Sequence, residues 1–214
     1  MIRRSSANEP APDPRLVFDP EKLGLSEYPR EFFRRDTVRV AREIIGAWLA
    51  RRCGRRWHGA RIVETEAYLG VADAAAHSWK GRRTPRVEPM YLDGGHLYVF
   101  LVYGMHHCAN IVTRGTGVPE AVLLRAAEGP EGTSVDLMNG PAKLCAALGI
   151  TRAWSGFDLL SGGDLRLFRR DSDRARDIGV SRRIGVAYAG EAAEWPLRFY
   201  DKRSPAVSHP QNGA

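Results

Sequence analysis

Lysine is nearly missing from this sequence: of 32 basic residues four are Lys and 28 are Arg. Cysteine is scarce as well. Cys53, Cys108 and Cys145 are far apart and form no CxxC pair. An odd, scattered set argues against a disulfide framework or a zinc ribbon and reads as buried thiols in a reducing compartment. Long apolar runs are missing too. The longest, "LYVFLVYG" at 97–104, falls well short of the roughly 20 residues a membrane-spanning helix needs. The opening "MIRRSSANEPAPDP" has early arginines but no apolar stretch behind them, so it does not read as a secretory signal. A soluble, cytoplasmic protein with no membrane partner is the expectation. There is no P-loop, no GxGxxG after a strand, no HExxH and no GxSxG. Nucleotide-cofactor chemistry is therefore not indicated, and no cofactor is expected. His96, His106, His107 and Cys108 lie close in sequence but lack a metal-ligand spacing, so no metal is expected either.

What is present bounds the answer. The 214 residues suit one domain, and 43% hydrophobic residues suffice for a core. The formal net charge is +7. Arginine forks bind phosphate in pairs of hydrogen bonds, so an Arg-rich positive surface suits nucleic acid or another polyanion. A compositional Arg bias with scattered surface charge gives the same count, and charge alone does not separate the two.

Residues 1–29 are rich in Pro, Ser, Ala and charge; they read as a flexible tail with a late ordered segment. Asp36 can cap a helix whose apolar face is Val38, Ala41, Ile44, Ile45, Trp48 and Leu49. "ARIVETEAYL" alternates as a strand does. Ile62, Glu64, Glu66 and Tyr68 fall on one face; Val63, Thr65, Ala67 and Leu69 fall on the other, which looks like core. "GGHLYVFLVYGMHHCANIVT" reads as two strands folded back near Gly104. "EAVLLRAAE" reads as a third strand, and "NGPAKLCAALG" as a helix with Pro141 in its first turn and Gly149 at its end. Further strands are expected at "DLRLF", "RIGVAYAG" and "PLRFY". Strands outnumber helices and do not alternate with them. The predicted class is α+β, one domain over 30–208, with a mainly antiparallel sheet and a C-terminal tail at 209–214.

Three stretches carry candidate chemistry. "VETEAYLGVADAAAHS" brings Glu64, Glu66, Tyr68 and His77 close together. A solvated strand face explains this, and so does a carboxylate activating water beside an aromatic ligand. Spacing does not choose between Glu64 and Glu66. At the hairpin tip, Tyr103 and Met105 flank Gly104. Such residues either fold back onto the core or act as a wedge that unstacks bases. "GRRTPR" at 81–86 is a basic loop, a solvated turn on its own and a phosphate-contacting segment through Arg82, Thr84 and Arg86 in this setting. A carboxylate, aromatic rings, a wedge and arginines together suit an enzyme that takes a base out of the stack.

"IVETEAYLGVADAAAHSWKGRRTPRVEPMY", "GGHLYVFLVYGMHHCANIV", "VLLRAAE", "NGPAKLCAALGI" and "RIGVAYAGEAAEWPLRFY" together resemble the alkyladenine (3-methyladenine) DNA glycosylase family, mammalian-type branch. The resemblance runs in order from about residue 31 to about 208. It implies a curved antiparallel sheet with surrounding helices and a protruding hairpin that enters DNA. It implies hydrolysis of the N-glycosidic bond of damaged purines in duplex DNA, at the nucleoid; the sequence gives no sign of oligomerisation, so a monomer is the default expectation. By position, Glu66 matches the general base that activates water. Tyr68 and His77 match one side of the flipped-base pocket, and Phe100 stands on the other, where the family commonly has Tyr. Tyr103 matches the residue that fills the vacated place in the duplex. Asn110 matches the residue that clashes with the 2-amino group of guanine, and Arg125 one that holds the nucleotide phosphate. No lysine stands out as a Schiff-base nucleophile, so a monofunctional enzyme is expected. Phe100 keeps a stacking face but lacks a hydroxyl, and "WK" at 79–80 and "VPE" at 118–120 are particular to this chain. A binding module that keeps the pocket without activity is the alternative, and only the enzyme needs Glu66.

Overall fold

The longest strand-forming run, Arg56–Tyr68, is the axis around which the rest of the chain is arranged. A computed structural model describes residues 9–170 and 177–208. Among them are ten strands: β1 Val17–Phe18, β2 Leu25–Glu27, β3 Trp48–Cys53, β4 Arg56–Tyr68, β5 Leu97–Val102, β6 His106–Thr113, β7 Glu120–Glu128, β8 Leu165–Arg170, β9 Ile178–Ser181 and β10 Arg198–Asp201. Three short helices accompany them: α1 Arg30–Phe33, α2 Thr37–Glu43 and α3 Pro141–Leu148. The strands form one sheet in the order β2-β8-β3-β4-β7-β6-β5, with β1 and β10 also paired to β4 and β9 paired to β10. Every pairing is antiparallel. This is the expected α+β architecture.

At 13 residues, β4 is long enough to have two sets of neighbours. Its first half lies between β3 and β1, its second half between β7 and β10. The ladder slips where the halves meet, at Ile62/Glu64 and Glu64/Thr65, so Val63 on β4 and Arg125 on β7 fall between paired residues. A bulge of this kind reverses which parity faces which side. Ile62 therefore joins Ala67 in the main core, while Val63 packs with Ala126 and Ala206 in a small separate cluster. This departs from the strict alternation predicted for "ARIVETEAYL", which set Ile62 beside the two acids. Glu64, Glu66 and Tyr68 do share a face.

The main core lies beneath α2 and α3. α2 packs on β4 and β7, and α3 on β6 and β7. Asp36 caps α2 by accepting from the Arg39 amide at 3.1 Å, as its sequence position suggests. The helix is shorter than its periodicity predicts. It stops at Ile44, Gly46 takes φ 88°, and Trp48 and Leu49 begin β3, whose ladder bonds outweigh another helical turn. α3 spans the predicted residues and ends on Gly149 in the left-handed region.

Three further expectations change. Residues 9–29 are not a tail. They carry a 3-10 turn at Pro14–Leu16, β1 and β2, and bury Leu16 completely. The buried Arg51 holds their start: it donates to Pro10 O at 2.7 Å and Gly149 O at 2.6 Å and pairs with Glu9 at 3.2 Å. Residues 1–8 and the predicted tail at 209–214 lie outside the described residues. "RIGVAYAG" is not a strand either. Gly185 and Gly190 take positive φ, and the segment forms a loop followed by a 3-10 stretch, Ala187–Glu194. The strand near it is β9, Ile178–Ser181. Finally, Cys53 is exposed, while Cys108 and Cys145 are buried as expected.

Gly149→Ala tests how the N-terminal segment is anchored. The glycine has φ +63°, and an added Cβ would collide with Arg51 Nη1 and Pro10 O. The variant should lose roughly 1–3 kcal/mol in urea unfolding. Limited proteolysis should then cut within residues 9–16 sooner than in the wild type.

Candidate active site

One rung of the sheet places the site. Across the ladders Tyr98 pairs with Asn110, Asn110 with Leu123, Leu123 with Glu66, and Glu66 with Arg198. Residues paired side by side point to the same face. Five strands, β5, β6, β7, β4 and β10, thus present Tyr98, Asn110, Leu123, Glu66 and Arg198 on the side away from the main core. Over this rung lies a cavity of about 470 Å³, within the range of about 300–1,000 Å³ usual for small-molecule sites. Tyr68, His77, Tyr98, Phe100, Asn110 and Arg125 line it.

The aromatic side is built from β5 and the loop after β4. Phe100 and Tyr98 are stacked at 5.5 Å between ring centres. The His77 ring stands edge-on to Phe100 at 4.5 Å. Its Nδ1 lies 2.9 Å from the Tyr98 hydroxyl. Burial pushes the Tyr98 hydroxyl up to about 12, against the pull of the nearby Arg86 charge. Burial, followed by the charges of Arg86 and Arg82, pushes His77 down to about 4. The ring is therefore neutral at physiological pH. Asn110 is buried and donates to the Tyr98 carbonyl at 3.0 Å, which leaves its side-chain oxygen as an acceptor.

The two glutamates of "ETEAY" are both completely buried, and their partners separate them. Glu64 is saturated. It accepts from Arg198 Nε at 2.6 Å, Arg125 Nε at 3.1 Å, the Ser208 amide at 2.6 Å and the Ser208 hydroxyl at 2.9 Å. Glu66 accepts from the Ile184 amide at 2.8 Å and the Tyr68 hydroxyl at 2.9 Å, and Arg125 Nη1 lies 3.4 Å away. Glu66 is not itself in the cavity wall. It lies directly behind Tyr68, Ile184 and Arg125, all of which are. Burial pushes its carboxyl above the ordinary range; the Arg125 charge and the two hydrogen bonds pull the other way without cancelling it. Arg125 is buried between both carboxylates.

A second buried pair holds the loops that close this wall. Arg183 donates to Asp73 and, at 2.8 Å, to the Ala192 carbonyl; its guanidinium lies 4.8 Å from the centre of the Tyr68 ring. Asp73 also accepts from the Leu69 and Ala75 amides, which bends the chain between Tyr68 and His77 back on itself. Ile184, the donor to Glu66, follows directly.

Tyr103 is 89% exposed at the hairpin tip, beside the cavity mouth. It takes φ 52° before Gly104 at 72°, and the Met105 amide closes the turn on Val102 O at 3.2 Å. A left-handed tyrosine is uncommon, and this tight turn holds the ring away from the body. Of the basic loop, Arg86 reaches the cavity and lies over Phe100 at 5.8 Å. Arg82 and Thr84 are exposed and outside the lining. Among the described residues no metal-binding cluster of His, Cys, Asp and Glu occurs.

The structure thus gathers Tyr68, His77, Phe100, Asn110, Arg125 and Arg86 around one cavity, with Glu66 behind its wall and Tyr103 at its mouth. Sequence reasoning missed Tyr98, although its place two residues before Phe100 on β5 was a usable signal. It also missed Tyr188, which lines the cavity and donates to the Ala75 carbonyl at 3.2 Å, because its segment reads as a strand. The Asp73–Arg183 pair, 110 residues apart, had no local signal.

Comparison with known proteins points to one family. A family model for methylpurine-DNA glycosylase (MPG) matches residues 31–205. A protein of Desulfitobacterium hafniense named "Putative 3-methyladenine DNA glycosylase" is 45% identical over 198 residues, covering 84% of this chain and 97% of the relative. Proteins with the same name from Methanocella arvoryzae and Bdellovibrio bacteriovorus are 44% and 46% identical, covering 84% and 80% of this chain and 94% and 93% of their own lengths.

His77 should titrate near 4 in an NMR pH series, against the ordinary 6.5. Arg86→Ala should raise that midpoint by removing a neighbouring positive charge. A wild-type midpoint above about 6 would contradict burial as the dominant cause.

Proposed function

The chain belongs to the methylpurine-DNA glycosylase family and is a DNA-repair glycosylase; we propose that it flips alkylated or deaminated purines out of duplex DNA and hydrolyses their N-glycosidic bond with a water activated by Glu66. The observation that carries this reading is the buried Glu66 hydrogen-bonded to Tyr68 and Ile184 and paired with Arg125, immediately behind an aromatic cavity. The motifs favour the mammalian-type branch of 3-methyladenine glycosylases.

The chemistry follows from charge. As the base departs, positive character develops on the sugar. A buried carboxylate stabilises that charge and takes a proton from the attacking water. The wall formed by Tyr68, Ile184 and Arg125 has to admit that water to Glu66. Alkylation makes the purine cationic, a good leaving group that binds well against electron-rich rings. A neutral His77 leaves such a cation unopposed, whereas an imidazolium would repel it. Asn110 on the cavity floor suits rejection of the 2-amino group of guanine, so that normal guanine is excluded by a clash and not by loss of attraction. Phe100 offers no hydroxyl, so uncharged lesions that need one should suffer more than charged alkylpurines.

Tyr103 fills the vacated place in the duplex from its exposed turn. Arg82, Thr84 and Arg86 contact phosphates at the cavity mouth; Arg125, which the resemblance matches to a phosphate-holding residue, is instead engaged by Glu64, Ser208 and Glu66. No lysine occurs among the described lining residues, and the reading is of a monofunctional enzyme that leaves an abasic site. It acts as a monomer on damaged double-stranded DNA, in the cytoplasm at the nucleoid. No helix among the described residues is long and apolar enough to cross a membrane.

Single-turnover base release from duplexes carrying 3-methyladenine or hypoxanthine tests the reading. Wild type should release 3-methyladenine, and Glu66→Gln should lose at least 100-fold in rate, about 2.7 kcal/mol of barrier, while still binding damaged duplex. Release should fall on acidification through a limb lying above the ordinary carboxylate value of 4.5, since only ionised Glu66 is a base. Tight binding without release by either protein would leave a lesion-binding module. Phe100→Tyr should raise release of hypoxanthine more than of 3-methyladenine, and equal effects on both would remove Phe100 from lesion selection.

A further inference from the structure

The family match ends at residue 205, yet the chain beyond it reaches the buried charges of the site. Ser204, Ala206 and Ser208 thread alongside the bulge in β4. Ala206 is completely buried against Val63 and Ala126, the cluster created by that bulge. The Ser204 hydroxyl donates to Glu128. These contacts deliver Ser208 to Glu64. Its amide donates to Glu64 Oε2 at 2.6 Å and its hydroxyl to Oε1 at 2.9 Å. The same hydroxyl oxygen accepts from Arg125 Nη2 at 3.2 Å.

Arg125 is thereby held at all three of its nitrogens. Nε faces Glu64 at 3.1 Å, Nη2 faces Ser208, and Nη1 is left to Glu66 at 3.4 Å. A guanidinium fork is rigid and planar, so fixing two nitrogens aims the third. We propose that Ser208 is a positioning residue for the reaction: its hydroxyl bridges Arg125 and Glu64 and so directs the free corner of the Arg125 fork onto Glu66. This rests on the reading of Glu66 as the base.

The consequence concerns competition between two acids. Glu64 and Glu66 both attract Arg125. Ser208 satisfies Glu64 with two donors, and Arg198 adds another at 2.6 Å. Without the Ser208 hydroxyl, Glu64 loses a donor and Arg125 Nη2 loses its acceptor. The guanidinium then turns toward Glu64 and away from Glu66. The other groups around Glu66 stay in place: Tyr68 beside it and Glu64 on the same face of β4, Arg198 opposite it on β10, Cys108 on β6, Tyr188 from the closing loop, and Arg183 over the Tyr68 ring. None of these is a mobile cation able to replace Arg125. Glu66 would hold its proton to higher pH.

The test is single-turnover release of 3-methyladenine across pH for wild type, Ser208→Ala, Ser208→Thr and Glu66→Gln, with damaged-duplex affinity and urea midpoints measured alongside. Ser208→Ala should slow release about tenfold at neutral pH, equal to about 1.4 kcal/mol, and move the acid limb to higher pH. Affinity and unfolding midpoint should stay close to wild type. Ser208→Thr keeps the hydroxyl and should restore rate and profile. A wild-type rate and profile in Ser208→Ala would overturn the proposal. So would an unmoved limb with a lowered unfolding midpoint, which marks a structural role, or a Ser208→Thr protein as slow as Ser208→Ala. If Glu66→Gln releases base as fast as wild type, the reading of Glu66 falls and takes this role with it. A dead Glu66→Gln beside a normal Ser208→Ala removes Ser208 alone.

Discussion

Two carboxylates, Glu64 and Glu66, are completely buried on the same face of one strand. Each would cost several kcal/mol to bury without compensation. Much of the sheet's irregularity serves that compensation. The ladder slip between β4 and β7 leaves Arg125 between paired residues and brings it to both acids. β10 pairs with the second half of β4 so that Arg198 stands opposite Glu66 and donates to Glu64. The loop carrying Ile184 turns back to give Glu66 a backbone donor. Remove this cluster, and the long central strand has no reason to carry charge on an inward face.

The cluster also explains a division of labour between identical side chains. Glu64 spends its hydrogen-bonding capacity on Arg125, Arg198 and Ser208. Glu66 has fewer and weaker charged contacts, and burial leaves its carboxyl above the usual range. That combination suits a base: buried enough to be strong, and paired enough to ionise. The cavity in front carries neutral rings, with His77 kept uncharged by burial and by the nearby arginines. Positive charge is kept to the mouth, in Arg86 and the exposed loop, and to Arg125 at the rear. On the proposed reading, a cationic base would lie between neutral rings, with the DNA phosphates toward the arginines of the mouth.

Much of the fold was legible in the sequence because it depends on short-range chemistry. Short apolar, strand-forming runs mark β5, β6 and β7, and Gly104 supplies a left-handed residue in the turn between β5 and β6. Asp36 caps α2 and Gly149 ends α3 through backbone demands local to each. Where a local signal met a stronger distant one, the prediction failed. Helical periodicity ran on through Trp48, but pairing of β3 with β4 and β8 claimed that segment. Residues 9–29 look disordered by composition, yet Arg51 and the sheet edges hold them. "RIGVAYAG" has strand-like residues, but Arg183 and Ile184 are committed to Asp73 and Glu66, which no strand pairing would allow.

The same distinction applies to the site. The sequence by itself determined the residue types: two acids on one strand face, an aromatic pair at alternate positions of β5, an exposed hairpin tip and an arginine-rich surface. The family motifs named Glu66 over Glu64, where spacing did not. Only the tertiary structure supplied a physical basis for telling the two acids apart, because the difference lies in their partners. Arg198 is 134 residues from Glu64 and Ser208 is 144 away. No local pattern encodes which of two neighbouring carboxylates such distant donors will saturate, since that depends on where the closing strand and the segment after it pack against the bulge.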